Sequence, residues 1–352
     1  MTYAPGPYGY GYAPVPPPPK PGVIPLAPLD LNHVLGGAFA AYRRHWKVLL
    51  GITLVSYALA ALLIAGVVTA AWAGLSDRWA HTSTAEDVSL SDLTPLFTLL
   101  GAIWLACSVG LLLATALLHS AVAVVVQEAV LGRRVGFGTV WRRAWSRLGP
   151  VLGAVLLSAV AAVVPALLLM AGFFLLLAAM VASIGADDGS GAGWAVTGVL
   201  FLLLALAATP PALWLWVRFS LAPTAAVVES AGTLTALRRS AQLVRGAWWR
   251  IFGYTLVMLV IVAGVTFVVQ TAVSLVTQAS LFAAPLTQHA TPGTIFFSTG
   301  TAAVVSTLLM LLTQAVLGPL QPLASGLLYV DQRIRRENLA PVLARAAGRP
   351  HA

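Results

Sequence analysis

Residues Thr233 to Arg250 read TLTALRRSAQLVRGAWWR, with Leu234, Leu237, Ala241, Val244 and Trp248 at steps of three and four and arginines set between them. This is the pattern of a basic amphipathic helix. A long apolar run begins at Ile251, so the helix is expected to lie along a membrane surface and to turn into a membrane span there. The arrangement occurs three times in the chain, and the architecture follows from it.

From Leu29 to Trp46, the residues Leu31, Leu35, Phe39, Tyr42 and Trp46 mark a helical face, and Arg43, Arg44 and Lys47 load the C-terminal end, where the helix dipole favours cations. Asp30, after Pro28, is placed to cap this helix. The middle copy sets Phe137, Val140, Trp141, Ala144 and Leu148 at helical spacing among Arg133, Arg134, Arg142, Arg143 and Arg147. Each copy is followed by apolar sequence. Val48 to Ser76 carries no charge, and at 29 residues it exceeds the ~20 needed to cross ~30 Å of hydrocarbon.

Composition agrees with this reading. Hydrophobic residues make up 59% of the 352 and charged residues 9%, and the mean hydropathy is +0.89, outside the range of soluble globular domains. The remaining spans are Leu93 to Gln127, Leu148 to Ala186 (containing Pro165), a fourth from near Trp194 to Trp216 with the Pro210–Pro211 pair, and two within Ile251 to Val330. That last stretch lacks Asp, Glu, Lys and Arg but is divided by the polar QASLFAAPLTQHATPGT segment. The expected fold is an all-α polytopic membrane bundle of six spans and three basic interfacial helices. The tail from Asp331 is read as continuing span 6 until Pro341 stops it.

The net charge of +9 suggests nucleic acid only if its placement is ignored. Of 20 Lys and Arg residues, Arg78 alone falls in a segment assigned outside. The positive-inside rule therefore accounts for the basic excess without a nucleic-acid partner, and it expects a multi-pass plasma-membrane protein with both termini cytoplasmic. Arginine outnumbers lysine eighteen to two, as expected of a GC-rich bacterial genome. The sole cysteine, Cys107, excludes an intrachain disulfide.

Three residues at the ends of second spans are acids: Glu128, Glu229 and Asp331, separated by 101 and 102 positions. The pairs Arg43–Arg44, Arg142–Arg143 and Arg238–Arg239 recur at intervals of 99 and 96. Each hairpin enters from the same side, so the expected repeat is parallel and threefold, with units of about 29–127, 128–228 and 229–338 inside a membrane domain of 29–338. Residues 1–28, rich in Pro, Tyr and Gly, are expected to form a solvated cytoplasmic tail with polyproline II character, without a signal peptide, whose proline run offers a surface to a protein partner. Residues 339–352 form a cytoplasmic C-terminal tail.

No spacing marks a catalytic residue, a cofactor site or a metal centre. The acids and His81 of the first outer loop, Asp77, Glu86, Asp87 and Asp92, match no metal motif and read as a solvated loop. Within the spans, His119, Gln270, Gln314 and Gln321 are the polar inventory, and the glutamines read as interhelical hydrogen-bond partners. Trp141, Trp248 and Trp249 suit headgroup depth beside the arginines. The expected lipid-headgroup contacts are therefore Arg43, Arg44, Arg142, Arg143, Arg218, Arg238, Arg239 and Arg245 with those three tryptophans, toward anionic lipid.

The stretches PLDLNHVLGGAFAAYRRHW (27–46), RFSLAPTAAVVESAGTLTALRRSAQLVRGAWWRIFG (218–253) and LLYVDQRIRREN (327–338) resemble the membrane-domain family named after glycerophosphoryl diester phosphodiesterases. The resemblance implies a stand-alone membrane domain, since the sequence has no room for the catalytic domain to which such domains are fused. Members commonly carry acids where this chain has His33 and Gly36. The expectation is a non-enzymatic scaffold or accessory protein whose basic inner collar contacts anionic lipid. A transporter or lipid-translocating protein is the first alternative, and an enzyme of glycerophosphodiester metabolism the second.

Overall fold

The computed structural model describes residues 21–82, 94–185, 191–283 and 292–347. The Tyr- and Pro-rich stretch up to Lys20, the loop acids Glu86, Asp87 and Asp92, the Asp187–Asp188 turn, residues 284–291 of the polar divider and the last residues of the chain lie outside the described residues. What is described is helical, with no strand among the described residues. The helices are α1 (Leu31–Thr82), α2 (Thr94–Val130), α3 (Phe137–Ser146), α4 (Leu148–Gly185), α5 (Gly191–Phe219) and α6 (Ala222–Val228), then α7 (Thr233–Val244), α8 (Trp248–Ala283), α9 (Pro292–Leu317), α10 (Leu320–Glu337) and α11 (Ala340–Ala347). Six segments of these helices are long and apolar enough to cross a membrane.

The spans pair as three hairpins, α1 with α2, α4 with α5 and α8 with α9. Contacts between hairpins run α2 to α4, α5 to α8 and α9 back to α1, which closes a ring. Inside one end of this ring, α2, α6 and α10 touch one another. Their shared stretches are AVAVVVQE (121–128), APTAAVVE (222–229) and ASGLLYVD (324–331), each ending on one of the three repeat acids.

Burial is concentrated at the arginine-bearing end. There the core joins Leu49, Val124, Leu221, Leu243, Leu323 and Tyr329 from all three units. Along the spans large apolar side chains such as Leu62, Phe174, Leu206 and Phe267 point outward, as a hydrocarbon solvent allows. The second span is the exception, 67% buried along its most apolar window. Close approach of α4 and α5 depends on two glycines: a Cβ on Gly172 would lie 3.0 Å from the Gly198 carbonyl oxygen, and one on Gly198 would lie 3.1 Å from that of Gly172.

Several expectations need correction. The segment of 1–28 from Pro21 onward is no solvated tail: Val23, Ile24 and Leu26 are buried, and the Val23 N–H donates to the Ala129 carbonyl at 3.2 Å. Its apolar residues find a groove that sequence periodicity, being absent there, does not reveal. Span 6 is interrupted at Gly318–Pro319, and its second part, α10, runs on past Asp331 into the basic tail as read from the sequence. Asn338, in the left-handed conformation at φ 51°, ends α10, while Pro341 sits in the first turn of α11, where its missing N–H costs nothing. Pro165 and the Pro210–Pro211 pair lie inside continuous helices. Helix α1 reaches Thr82, so Asp77, Arg78 and His81 belong to it rather than to a loop, and its kink falls at His45.

The basic helices bury the face read by apolar spacing only in part. In α1 the buried side is Val34, Ala38 and Ala41, while Phe39 and Trp46 are exposed. In α3 it is Val140 and Ala144, with Phe137 and Trp145 outward. In α7, Ala236 and Ser240 turn inward beside Leu237, Leu243 and Val244, and Leu234 is exposed. Small residues let helix backbones approach, and large ones lose nothing by facing lipid.

Candidate functional site

The repeat acids bind each unit to the next. Glu128, at the boundary of the first and second units, accepts from Arg143 of α3 at 3.4 Å. Glu229, at the boundary of the second and third, accepts from Arg239 of α7 at 2.8 Å and from the Tyr329 hydroxyl at 2.6 Å. Asp331, at the end of the third, accepts from the Leu29 N–H at 2.8 Å, 302 residues away and immediately before α1. The ring of units is thereby closed through its first residues. The third acid is wholly buried, and Arg335 (2.9 Å), Arg250 (3.0 Å) and Gln332 (3.3 Å) complete its shell, as a buried carboxylate requires.

Glu337 extends the second junction, pairing with Arg239 and with Arg333 at 2.8 Å. Partial burial works to lower the pKa of Arg239, but the carboxylates of Glu229 and Glu337 outweigh it and hold the pKa above the ordinary value. Asp30 caps α1 as expected: the His33 N–H donates to its carboxylate at 2.8 Å and holds its pKa below the usual range.

These pairings divide the expected headgroup contacts. Arg143 and Arg239 are held by acids, and Arg44 donates to the Gly132 carbonyl. Arg43, Arg142 and Arg238 are exposed on the basic helices, with no carboxylate partner among the described residues. Trp141 stacks between Phe137 at 6.0 Å and Trp145 at 5.7 Å. Four members of the expected set, Arg218, Arg245, Trp248 and Trp249, come together at the junction of α5, α7 and α8.

There Arg218, Arg245, Trp214 and Trp248 line a pocket of about 510 Å³. A second pocket, also about 510 Å³, shares Trp214 and Trp248 and continues along Pro210, Leu213, Trp249 and Phe252. Together they form a groove that is cationic at one end and apolar at the other. Arg218 stacks over Trp214 at 4.6 Å. The Ser240 hydroxyl donates to the Arg218 carbonyl at 2.8 Å, the Trp248 indole to the Trp214 carbonyl at 3.4 Å, and Trp248 stacks on Phe252 at 5.1 Å. The turn between α7 and α8 needs Gly246, at φ 79°. Neither Arg218 nor Arg245 has a carboxylate partner among the described residues.

Trp214, Pro210, Leu213 and Phe252 were not among the sequence candidates. Trp214 stands four residues before Arg218, a spacing that brings two side chains together on one helix face, so this partner carried a usable signal. The other three had none beyond their apolar character.

A separate cavity of about 270 Å³ lies where the three units meet. Its wall includes Thr115 and His119 from the first unit, Ser158 and Ser220 from the second, and Thr255 and Gln321 from the third. Arg218 is not part of it. No group of three or more His, Cys, Asp or Glu suited to a metal ion occurs among the described residues.

The family described as "Domain of unknown function (DUF7847)" matches residues 29–320. That range covers most of the chain, and the protein belongs to this family. No curated protein and no solved structure matches the chain.

Proposed function

We propose that this DUF7847 protein is a non-enzymatic membrane protein that retains an anionic phospholipid in the groove between α5, α7 and α8. The carrying observation is the pairing of two guanidinium groups free of carboxylates with an adjoining apolar wall. A phosphate headgroup fits between Arg218 and Arg245, where bidentate, charge-assisted hydrogen bonds are available. An acyl chain then lies along Leu213, Trp249 and Phe252. The basic helices stand at the cytoplasmic face of the plasma membrane in this reading, and the other exposed arginines supply a diffuse attraction to the same lipids. A protein in this position serves as a scaffold or accessory factor, and the proline-rich N-terminal stretch is its surface for a protein partner.

The experiment is lipid retention in native mass spectrometry. Protein released from bilayers of mixed phosphatidylglycerol and phosphatidylcholine is expected to keep phosphatidylglycerol selectively. Joint Arg218→Gln and Arg245→Gln substitution removes that selectivity, whereas Arg43→Gln with Arg142→Gln leaves it. Equal retention by the two double variants rules out the groove as the lipid site.

A translocating protein is favoured by one different observation, the partly open cavity between the three units that reaches His119. Such a cavity at the axis of a repeat bundle is where a transported solute would rest.

A further inference from the structure

We propose that the cavity at the meeting point of the three repeat units is a binding site for a small uncharged solute rich in hydrogen-bond donors, of the short-polyol type. The site is independent of the lipid groove, sharing no residue with it.

The wall chemistry selects the ligand. Three serine hydroxyls on the wall have already spent their donor on a carbonyl of their own helix or turn: Ser158 on Ala154 at 2.8 Å, Ser220 on Val217 at 2.8 Å and Ser325 on Pro322 at 3.0 Å. Each retains oxygen lone pairs and so acts toward a ligand as an acceptor only. Gln321 adds a carboxamide oxygen, Oε1, and Thr255 a hydroxyl, Oγ1. Both of these atoms are buried without any hydrogen-bond partner, a state that native interiors rarely leave uncompensated. His119 makes no hydrogen bond among the described residues, and in neutral form its imidazole offers one acceptor and one donor.

The three serines, Thr255 and Gln321 thus offer five acceptor oxygens, beside donors on Thr115, Thr255, Gln321 and His119, and a molecule with several O–H groups, each both donor and acceptor, complements them. The wall holds no Asp, Glu, Lys or Arg. An ion would enter among apolar spans without a counter-charge, so the ligand is uncharged. The volume of about 270 Å³ corresponds to about nine water molecules at ~30 Å³ each, enough for a four-carbon polyol. Repeat symmetry explains how such a space arises. His119 and Ser220 occupy equivalent positions two residues before AVAVVVQE and APTAAVVE, and both line the cavity.

The test uses erythritol as the probe and saturation-transfer difference NMR on the full-length protein in nanodiscs of deuterated lipid, with empty nanodiscs as the blank. Wild-type protein is expected to transfer saturation to erythritol. Thr255→Val, which removes one hydroxyl at constant shape, and Gln321→Leu each reduce the transfer at least fivefold, and Ala159→Leu abolishes it by filling the space. The joint Arg218→Gln and Arg245→Gln variant retains it, which separates this site from the lipid groove. Two results overturn the proposal. One is no transfer from the wild-type protein, meaning that the cavity holds water only, and this needs no variant to fold. The other is undiminished transfer in Thr255→Val and Ala159→Leu proteins whose circular dichroism and melting match wild type.

Discussion

Replacing Asp331 with Ala tests whether the ring of units is closed by this one carboxylate. Its side chain is 0% exposed and meets Arg250 at 3.0 Å, Arg335 at 2.9 Å and the Leu29 N–H at 2.8 Å. Removing one partner of a buried ion pair costs about 3–5 kcal/mol, because the remaining charge is left uncompensated. Here the two guanidiniums stay 26% and 34% exposed, so water recovers part of the loss, and the low end, about 3 kcal/mol, is the expectation. At about 1.4 kcal/mol per factor of ten, the Leu29 amide should exchange with solvent roughly 150-fold faster. Hydrogen exchange read by mass spectrometry on the peptide spanning Leu29 measures this, and denaturant unfolding reads the global loss. Glu128→Gln is the comparator: it breaks a 3.4 Å pair with an arginine that is 55% exposed, and it should cost under about 1 kcal/mol. An increase below tenfold at Leu29, or equal destabilisation by the two substitutions, refutes the closure argument.

Two further predictions concern packing. Tyr329→Phe removes the 2.6 Å hydrogen bond to Glu229 while keeping the ring. The cost should be about 1.5 kcal/mol in thermal unfolding, the low end for bonds to charged groups, since Arg239 still satisfies the carboxylate. Gly172→Leu forces α4 and α5 apart and should cost about 1–3 kcal/mol. Gly66→Leu, with no neighbour within 4 Å of the new Cβ, should stay within about 0.5 kcal/mol of wild type in the same melt.

The sequence alone determined the six spans, the placement of the basic helices and the three acids that end the repeat units. Each is encoded locally: a span by an uncharged run, a basic helix by arginines at helical intervals, a unit boundary by one charged residue after an apolar stretch. The joining of Arg218, Arg245, Trp248 and Trp249 was legible only as residues suited to the same membrane depth. Depth is a one-dimensional property, and it does not say which side chains at one level are neighbours.

Tertiary structure decided the rest. It turned Ala38 and Ala41 of α1 and Ala236 and Ser240 of α7 inward, because protein backbones approach most closely where side chains are short, whereas periodicity marks only what is apolar. It drew Val23, Ile24 and Leu26 into the core, and it gave Arg143 and Arg239 each an acidic partner. It also placed His119, Thr255 and Gln321, 136 and 66 positions apart along the chain, around one cavity. Whether a polar residue inside a span is a helix-packing contact or part of a wall depends on three helices meeting at one point, and no single helix contains that information.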